Sequence, residues 1–116
     1  MAENKNLISD PERSMNQLIE ILHTLRDPDR GCSWDIEQNF KSIVPFTIEE
    51  AYEVADAIEQ KNWSALKIEL GDLLLQTVYH SQIASEQGLF NFEDIVKSIC
   101  DKMVARHPHI FTNENT

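Results

Sequence analysis

Thr47-Ile48-Glu49-Glu50-Ala51-Tyr52-Glu53 and, after a spacer of fifteen residues, Glu69-Leu70-Gly71-Asp72 decide how this chain is read. Residues three or four apart share one face of a helix. Glu49 and Glu53 are four apart, Glu50 and Glu53 three, and Glu69 and Asp72 three again. Two antiparallel helices carrying these acids can aim all five carboxylates at one volume. Like charges at that spacing destabilise a helix. A hard divalent cation such as Mg²⁺ offsets the repulsion, and oxygen is the ligand atom it prefers.

The flanking residues predict the two helices. Pro45 marks the end of the preceding segment, and Thr47 opens a helix through a capping box with Glu50. Ile48, Ala51, Tyr52, Ala55 and Ile58 fall on one side of it, and Glu49, Glu50, Glu53 and Asp56 on the other. Asn62 caps the next helix, expected from Trp63 to about Glu86 with Gly88 as its stop. That helix is apolar over most of its circumference, with Leu66, Ile68, Leu70, Leu73, Leu74, Leu75, Val78, Tyr79 and Ile83. One narrow polar stripe holds Glu69, Asp72, Gln76 and His80, which places His80 to hydrogen-bond a site carboxylate. A helix apolar nearly all round is buried on most sides. One chain of this size can hardly enclose it, so self-association is expected. Gly71 inside it costs about 1 kcal/mol relative to Ala, for which close approach of another helix is the expected reason.

An earlier helix is expected from the Ser9-Asp10-Pro11-Glu12 start to about Arg26, with Met15, Leu18, Ile19, Leu22 and Leu25 as its apolar face. Asp27 to Phe46 reads as turn and loop, holding Gly31-Cys32-Ser33-Trp34-Asp35 and a short helical piece around Ile36–Phe40. Asn91 caps a last helix from Phe92 to about His107, ended by Pro108. Its apolar face is Phe92, Ile95, Val96, Ile99 and Met103, with Lys102 and Arg106 on the border. There is no sheet signal, so the fold class is all-α.

Single residues carry two readings each. An acidic helix face is ordinarily a solvated one. Glu69 and Asp72, however, are nearly the only acids on a helix apolar enough to be interior, and a buried carboxylate needs a cation or hydrogen bonds. Lys102 and Arg106 are salt-bridge partners by themselves; beside a metal they suit a polyphosphate, as a point charge and a fork. Trp34 is either a core or lid anchor or a stacking partner for a base. Cys32 and Cys100 read as packing residues, and His107 and His109 as surface or capping residues.

Composition narrows the class. The chain has 116 residues and a formal net charge of −10. One domain is the default at this length. The charge argues against binding a nucleic-acid polymer, which needs clustered Lys and Arg. It leaves a phosphate ligand open, because a bound metal inverts the local charge. Two cysteines imply no disulfide framework. There is no signal-peptide pattern and no transmembrane run, so a cytoplasmic setting without a membrane partner is expected.

The acidic spacing, the Gly31–Asp35 loop and the Asp101-Lys102…Arg106-His107-Pro108-His109-Ile110-Phe111 tail together resemble the MazG nucleoside triphosphate pyrophosphohydrolases, over roughly residues 15 to 111. The loop departs from the family's usual form at Ser33, where Pro is more common. The resemblance implies a four-helix bundle completed by oligomerisation, as a homodimer or homotetramer. It also implies Mg²⁺-dependent cleavage of nucleoside triphosphates to monophosphate and pyrophosphate. Carried over by position, Glu50, Glu53, Glu69 and Asp72 are the metal ligands, and Lys102 and Arg106 contact phosphates. Glu49 supports the site as a further ligand or by orienting water. The general base is Glu49 or Glu53, with Glu49 the better placed if it is not committed to metal. The expected layout is a flexible terminus over 1–10, the domain over 11–111 and a tail over 112–116, as a stand-alone single domain. The rivals are a catalytically silent nucleotide-binding module and a helical dimerisation module.

Overall fold

The computed structural model describes residues 13–112, which form helices and turns with no strand among them. Four helices are long: α1 (Met15–Leu25), α3 (Phe40–Glu59), α4 (Trp63–Glu86) and α5 (Phe92–Arg106). Two are short: α2 (Ser33–Glu37) and α6 (Pro108–Phe111). The all-α expectation holds. None of these helices is long and apolar enough to cross a membrane.

Local chemistry sets most of the helix ends. Asn62 accepts the Ala65 N–H at the start of α4. At its end Gly88 has φ +71°, which glycine adopts without cost. Leu89 N–H then donates to the Ala84 carbonyl at 2.9 Å and Gly88 N–H to that of Ser85 at 3.1 Å. This Schellman pair satisfies carbonyls that the helix end would otherwise orphan. Asn91 and Asp94 cap each other's backbone at the start of α5. The Ser9–Glu12 start expected for the first helix lies outside the described residues. α1 itself begins at Met15, because Ser14 is extended (φ −141°, ψ 169°) and forms a capping box with Gln17.

α3 corrects the sequence reading. It begins at Phe40 and runs through both Pro45 and Thr47. The cap is Asn39, whose side chain accepts the Ser42 N–H while Ser42 Oγ accepts that of Asn39, both at 2.8 Å. Pro45 has no N–H to give the turn before it, yet buried Ile43 ties that same turn to the core. The short piece expected around Ile36–Phe40 lies earlier, at Ser33–Glu37, and ends on Gln38.

The face of α3 that packs is also not the expected one. Ile43 and Ala57 are buried, with Thr47, Glu50 and Val54 half-buried along the same stripe. Ile48 and Tyr52, on the expected apolar face, are 53% and 73% exposed. Glu50 therefore turns toward α4, while Glu49, Glu53 and Asp56 are exposed and an apolar stripe looks outward.

α4 is the axis, with α3 packed along it and α1 and α5 against it. Leu22, Ile43, Val78, Tyr79 and Ile83 form the core around its second half. Its first half leaves Ile68, Leu70 and Leu74 exposed. A Cβ at Gly71 would meet nothing within 4 Å, so no helix among the described residues uses that gap. α5 buries no residue. The radius of gyration is 17.3 Å, where a compact chain of this length has about 13 Å.

Candidate active site

Glu50 on α3 meets Glu69 and Asp72 on α4. One carboxylate oxygen from each lies within 4.8 Å of the others, and all three residues are half-buried. The spacing read from the sequence explains this, because Glu69 and Asp72 lie one turn apart on the stripe that faces α3. Glu50 Oε2 is buried without a hydrogen-bond partner. Burial first, then the contact with Glu69 and the charges of Asp72, Glu69 and Glu53, push the Glu50 carboxyl from 4.5 up to about 7. Such a carboxyl is still partly protonated at neutral pH, and a bound cation would favour its charged form.

The donor set fits a hard divalent cation. Oxygen is the donor such an ion prefers, and three carboxylate oxygens from two helices meet within 4.8 Å, with Glu50 Oε2 buried and lacking a hydrogen bond. Glu53 is exposed but close enough for its charge to act on Glu50. Glu49 is exposed and outside the group of three.

A polar layer continues along the same two helices. Thr47 Oγ1, one turn before Glu50, lies 3.1 Å from Gln76 Oε1 and 3.0 Å from His80 Nε2. Its third neighbour is the Ile43 carbonyl at 3.3 Å. This hydroxyl is thus engaged inside the bundle and does not cap the helix. His80 stacks on Phe40 and meets Thr47, not a carboxylate. Burial lowers its pKa. Gln76 and His80 were visible as part of the polar stripe; Thr47 was not, because its place beside them depends on how α3 packs.

Trp34, in α2, lies edge-on to Phe46 with ring centroids 5.8 Å apart. Phe46 stands one turn before Glu50 on α3, so this exposed aromatic pair borders the carboxylates. The segment that carries Trp34 is tied down from behind. Arg26 Nη1 donates to the carbonyls of Asp35 at 2.6 Å and Gln38 at 3.0 Å. Its Nε and Nη2 take the Glu86 carboxylate at 2.9 and 2.8 Å. Tyr79 donates its hydroxyl to Asp35 Oδ1 at 2.7 Å. Gly31 is required here, since a Cβ would sit 2.1 Å from the Leu25 carbonyl oxygen. Arg26 and Tyr79 were missed in the sequence, because their partners lie far along the chain.

Lys102 and Arg106 are exposed on α5, and neither forms an ion pair with the five acids. Within one chain the basic pair and the acidic cluster are not joined. Cys32 and Cys100 are exposed, not packed as expected.

Residues 38–111 match the MazG nucleotide pyrophosphohydrolase domain. The chain is 48% identical over 101 residues to a nucleoside triphosphate pyrophosphohydrolase of Escherichia coli (strain K12), covering 87% of this chain and 38% of that protein. It is 47% identical over 95 residues to the nucleoside triphosphate pyrophosphohydrolase/pyrophosphatase MazG of Thermotoga maritima, covering 82% and 37%. A nucleoside triphosphate pyrophosphohydrolase of Mycobacterium tuberculosis is 30% identical over 118 residues, covering 99% and 36%. The chain thus spans little more than a third of the length of these relatives.

Proposed function

Because the chain belongs to the MazG nucleotide pyrophosphohydrolase family, we propose that it hydrolyses ribo- or deoxyribonucleoside triphosphates to monophosphate and pyrophosphate with Mg²⁺, in the cytoplasm, for house-cleaning or control of the nucleotide pool. The observation that carries this is Glu50 Oε2, buried and unpartnered between Glu69 and Asp72. Glu50, Glu53, Glu69 and Asp72 hold the metal. Bound Mg²⁺ supplies positive charge for the polyphosphate and lowers the pKa of water.

The chain's own groups do the rest. Glu49, exposed and outside the group of three, accepts the proton of the attacking water, with Glu53 as the alternative base. The water oxygen bonds to the α-phosphorus, the bond from that phosphorus to the α–β bridging oxygen breaks, and pyrophosphate leaves with the bridging oxygen. Lys102 and Arg106 hold the phosphates, and Trp34 stacks on the base.

The working form is a homodimer or a homotetramer. The exposed apolar residues of α3 and α4, the open face at Gly71 and the large radius of gyration all favour a second chain on this surface. Such packing also offers a way to bring a basic helix to the acidic cluster of a neighbour.

The test is pyrophosphate release over all ribo- and deoxyribonucleoside triphosphates, with Mg²⁺ and with EDTA. Release with Mg²⁺ alone, lost in Glu53→Ala and Asp72→Ala, is the expected result. Binding without release makes the chain a silent nucleotide-binding module.

A further inference from the structure

We propose that Arg26 and Tyr79 are positioning residues for the substrate. They hold the Gly31–Gln38 segment so that Trp34 and Phe46 form a fixed wall for the base beside the carboxylates. The inference rests on the nucleotide reading above and adds the groups that set the shape of its base site.

α2 has nothing of its own to hold it in place. It is five residues long, has no side-chain cap and buries no residue. Its position is imposed from α1 and α4. The Arg26 side chain is only 8% exposed and places one amino group against the carbonyls of Asp35 and Gln38, at the C-terminal end of α2. A cation is favourable at a helix C-terminus: the Gln38 carbonyl lies past the helix end, and the Asp35 carbonyl takes Arg26 in addition to the Gln38 N–H. Glu86 fixes the other two nitrogens of the fork. Core residue Tyr79 lies under the guanidinium, 6.0 Å from ring centroid to Cζ, and holds the Asp35 side chain. Asp35 is therefore pinned by backbone and side chain, and the preceding residue is Trp34. Gln38 Nε2 donates to the Trp34 carbonyl at 2.8 Å and closes the unit.

The balance of costs favours function over folding. Taking the Arg26 guanidinium out of water is expensive even though exposed Glu86 pairs with it. In return α2 gives the core no buried side chain. What the anchor does fix is the direction of Trp34, which stays 49% exposed against Phe46 at 42%. Phe46 is four residues before Glu50, about 6 Å along the helix axis. An aromatic face held there suits a base whose phosphates reach the carboxylates, and stacking tolerates any base.

The experiment uses a Trp63→Phe parent, which leaves Trp34 as the single tryptophan of two. Tyr79→Phe, Asp35→Ala and Asp35→Asn are compared in it for pyrophosphate release, acrylamide quenching of Trp34 and binding of an α,β-methylene triphosphate. Tyr79→Phe and Asp35→Ala should raise KM and the analogue Kd about three- to tenfold, with kcat within about twofold. Quenching should rise in both. Asp35→Asn keeps an acceptor for the Tyr79 hydroxyl and should stay near the parent. If Tyr79→Phe does not fold, Asp35→Ala against Asp35→Asn tests the same contact from its other side. Unchanged KM, Kd and quenching in Asp35→Ala overturn the proposal, as does a fall in kcat with KM unmoved. A parent that releases no pyrophosphate refutes the enzyme reading instead, and quenching and analogue binding then decide the positioning claim.

Discussion

Glu50→Gln stabilises the metal-free protein at neutral pH, and the size of the gain follows from the site. The Glu50 carboxyl is raised from 4.5 to about 7 by burial and by Glu69, Asp72 and Glu53. Between those values the folded chain holds a proton that the unfolded chain has lost. Stability is therefore full below about pH 4.5, falls as pH rises, and is lost once pH passes about 7. A rise of that size is worth at most about 3 kcal/mol. Solvent reaches the half-buried cluster and reduces it to about 1–2 kcal/mol. Glutamine stays neutral at every pH and keeps the shape. In EDTA the variant and the parent should melt together near pH 4.5. At pH 8 the variant should melt higher by about 5–10 °C. Differential scanning calorimetry at one fixed protein concentration measures this. Saturating Mg²⁺ should reverse the order, because it stabilises only the chain that binds it. A variant less stable than the parent at pH 8 in EDTA, or a difference that does not change with pH, refutes the reasoning.

Other expectations concern the rest of the molecule. Arg106→Lys keeps the charge and loses the planar fork, so kcat/KM for a triphosphate should fall about tenfold, whereas no change leaves Arg106 without a phosphate. Gly31→Ala drives a methyl into the Leu25 carbonyl and should cost about 2 kcal/mol or more in urea unfolding; a neutral result would show that the Gly31 turn relaxes freely. Sedimentation at micromolar concentration should give a dimer or tetramer, and Tyr52→Asp on the open face of α3 should weaken it. A monomeric parent removes the interface. Mixing Glu53→Ala chains with Arg106→Ala chains should restore part of the activity if sites are shared between subunits, and none, after confirmed exchange, if each site lies within one chain.

What was legible in the sequence was local. The Glu69–Asp72 spacing and the Asn62 and Gly88 signals placed α4 and its polar stripe, because each depends on neighbours within a turn or two. The reading failed where two local signals competed. Thr47 and Glu50 mimic a capping box, yet Asn39 and Ser42 make the real one, and the pattern Asn-x-x-Ser was there to be seen. Pro45 reads as a break and is carried inside α3. Which face of α3 is buried was not legible, since Ile48 and Tyr52 have the periodicity of a core face and lie open. Arg26 and Glu86 are 60 residues apart, so their union depends on α1 packing against α4. No local pattern announces it.

The most direct test of the acidic centre is one turnover experiment in ¹⁸O-water with a nucleoside triphosphate and Mg²⁺. Attack at the α-phosphorus puts one label into each monophosphate and none into pyrophosphate, and Asp72→Ala should give no labelled product. Label in pyrophosphate or orthophosphate, or undiminished labelling of the monophosphate by Asp72→Ala, would contradict the proposed reaction and its site.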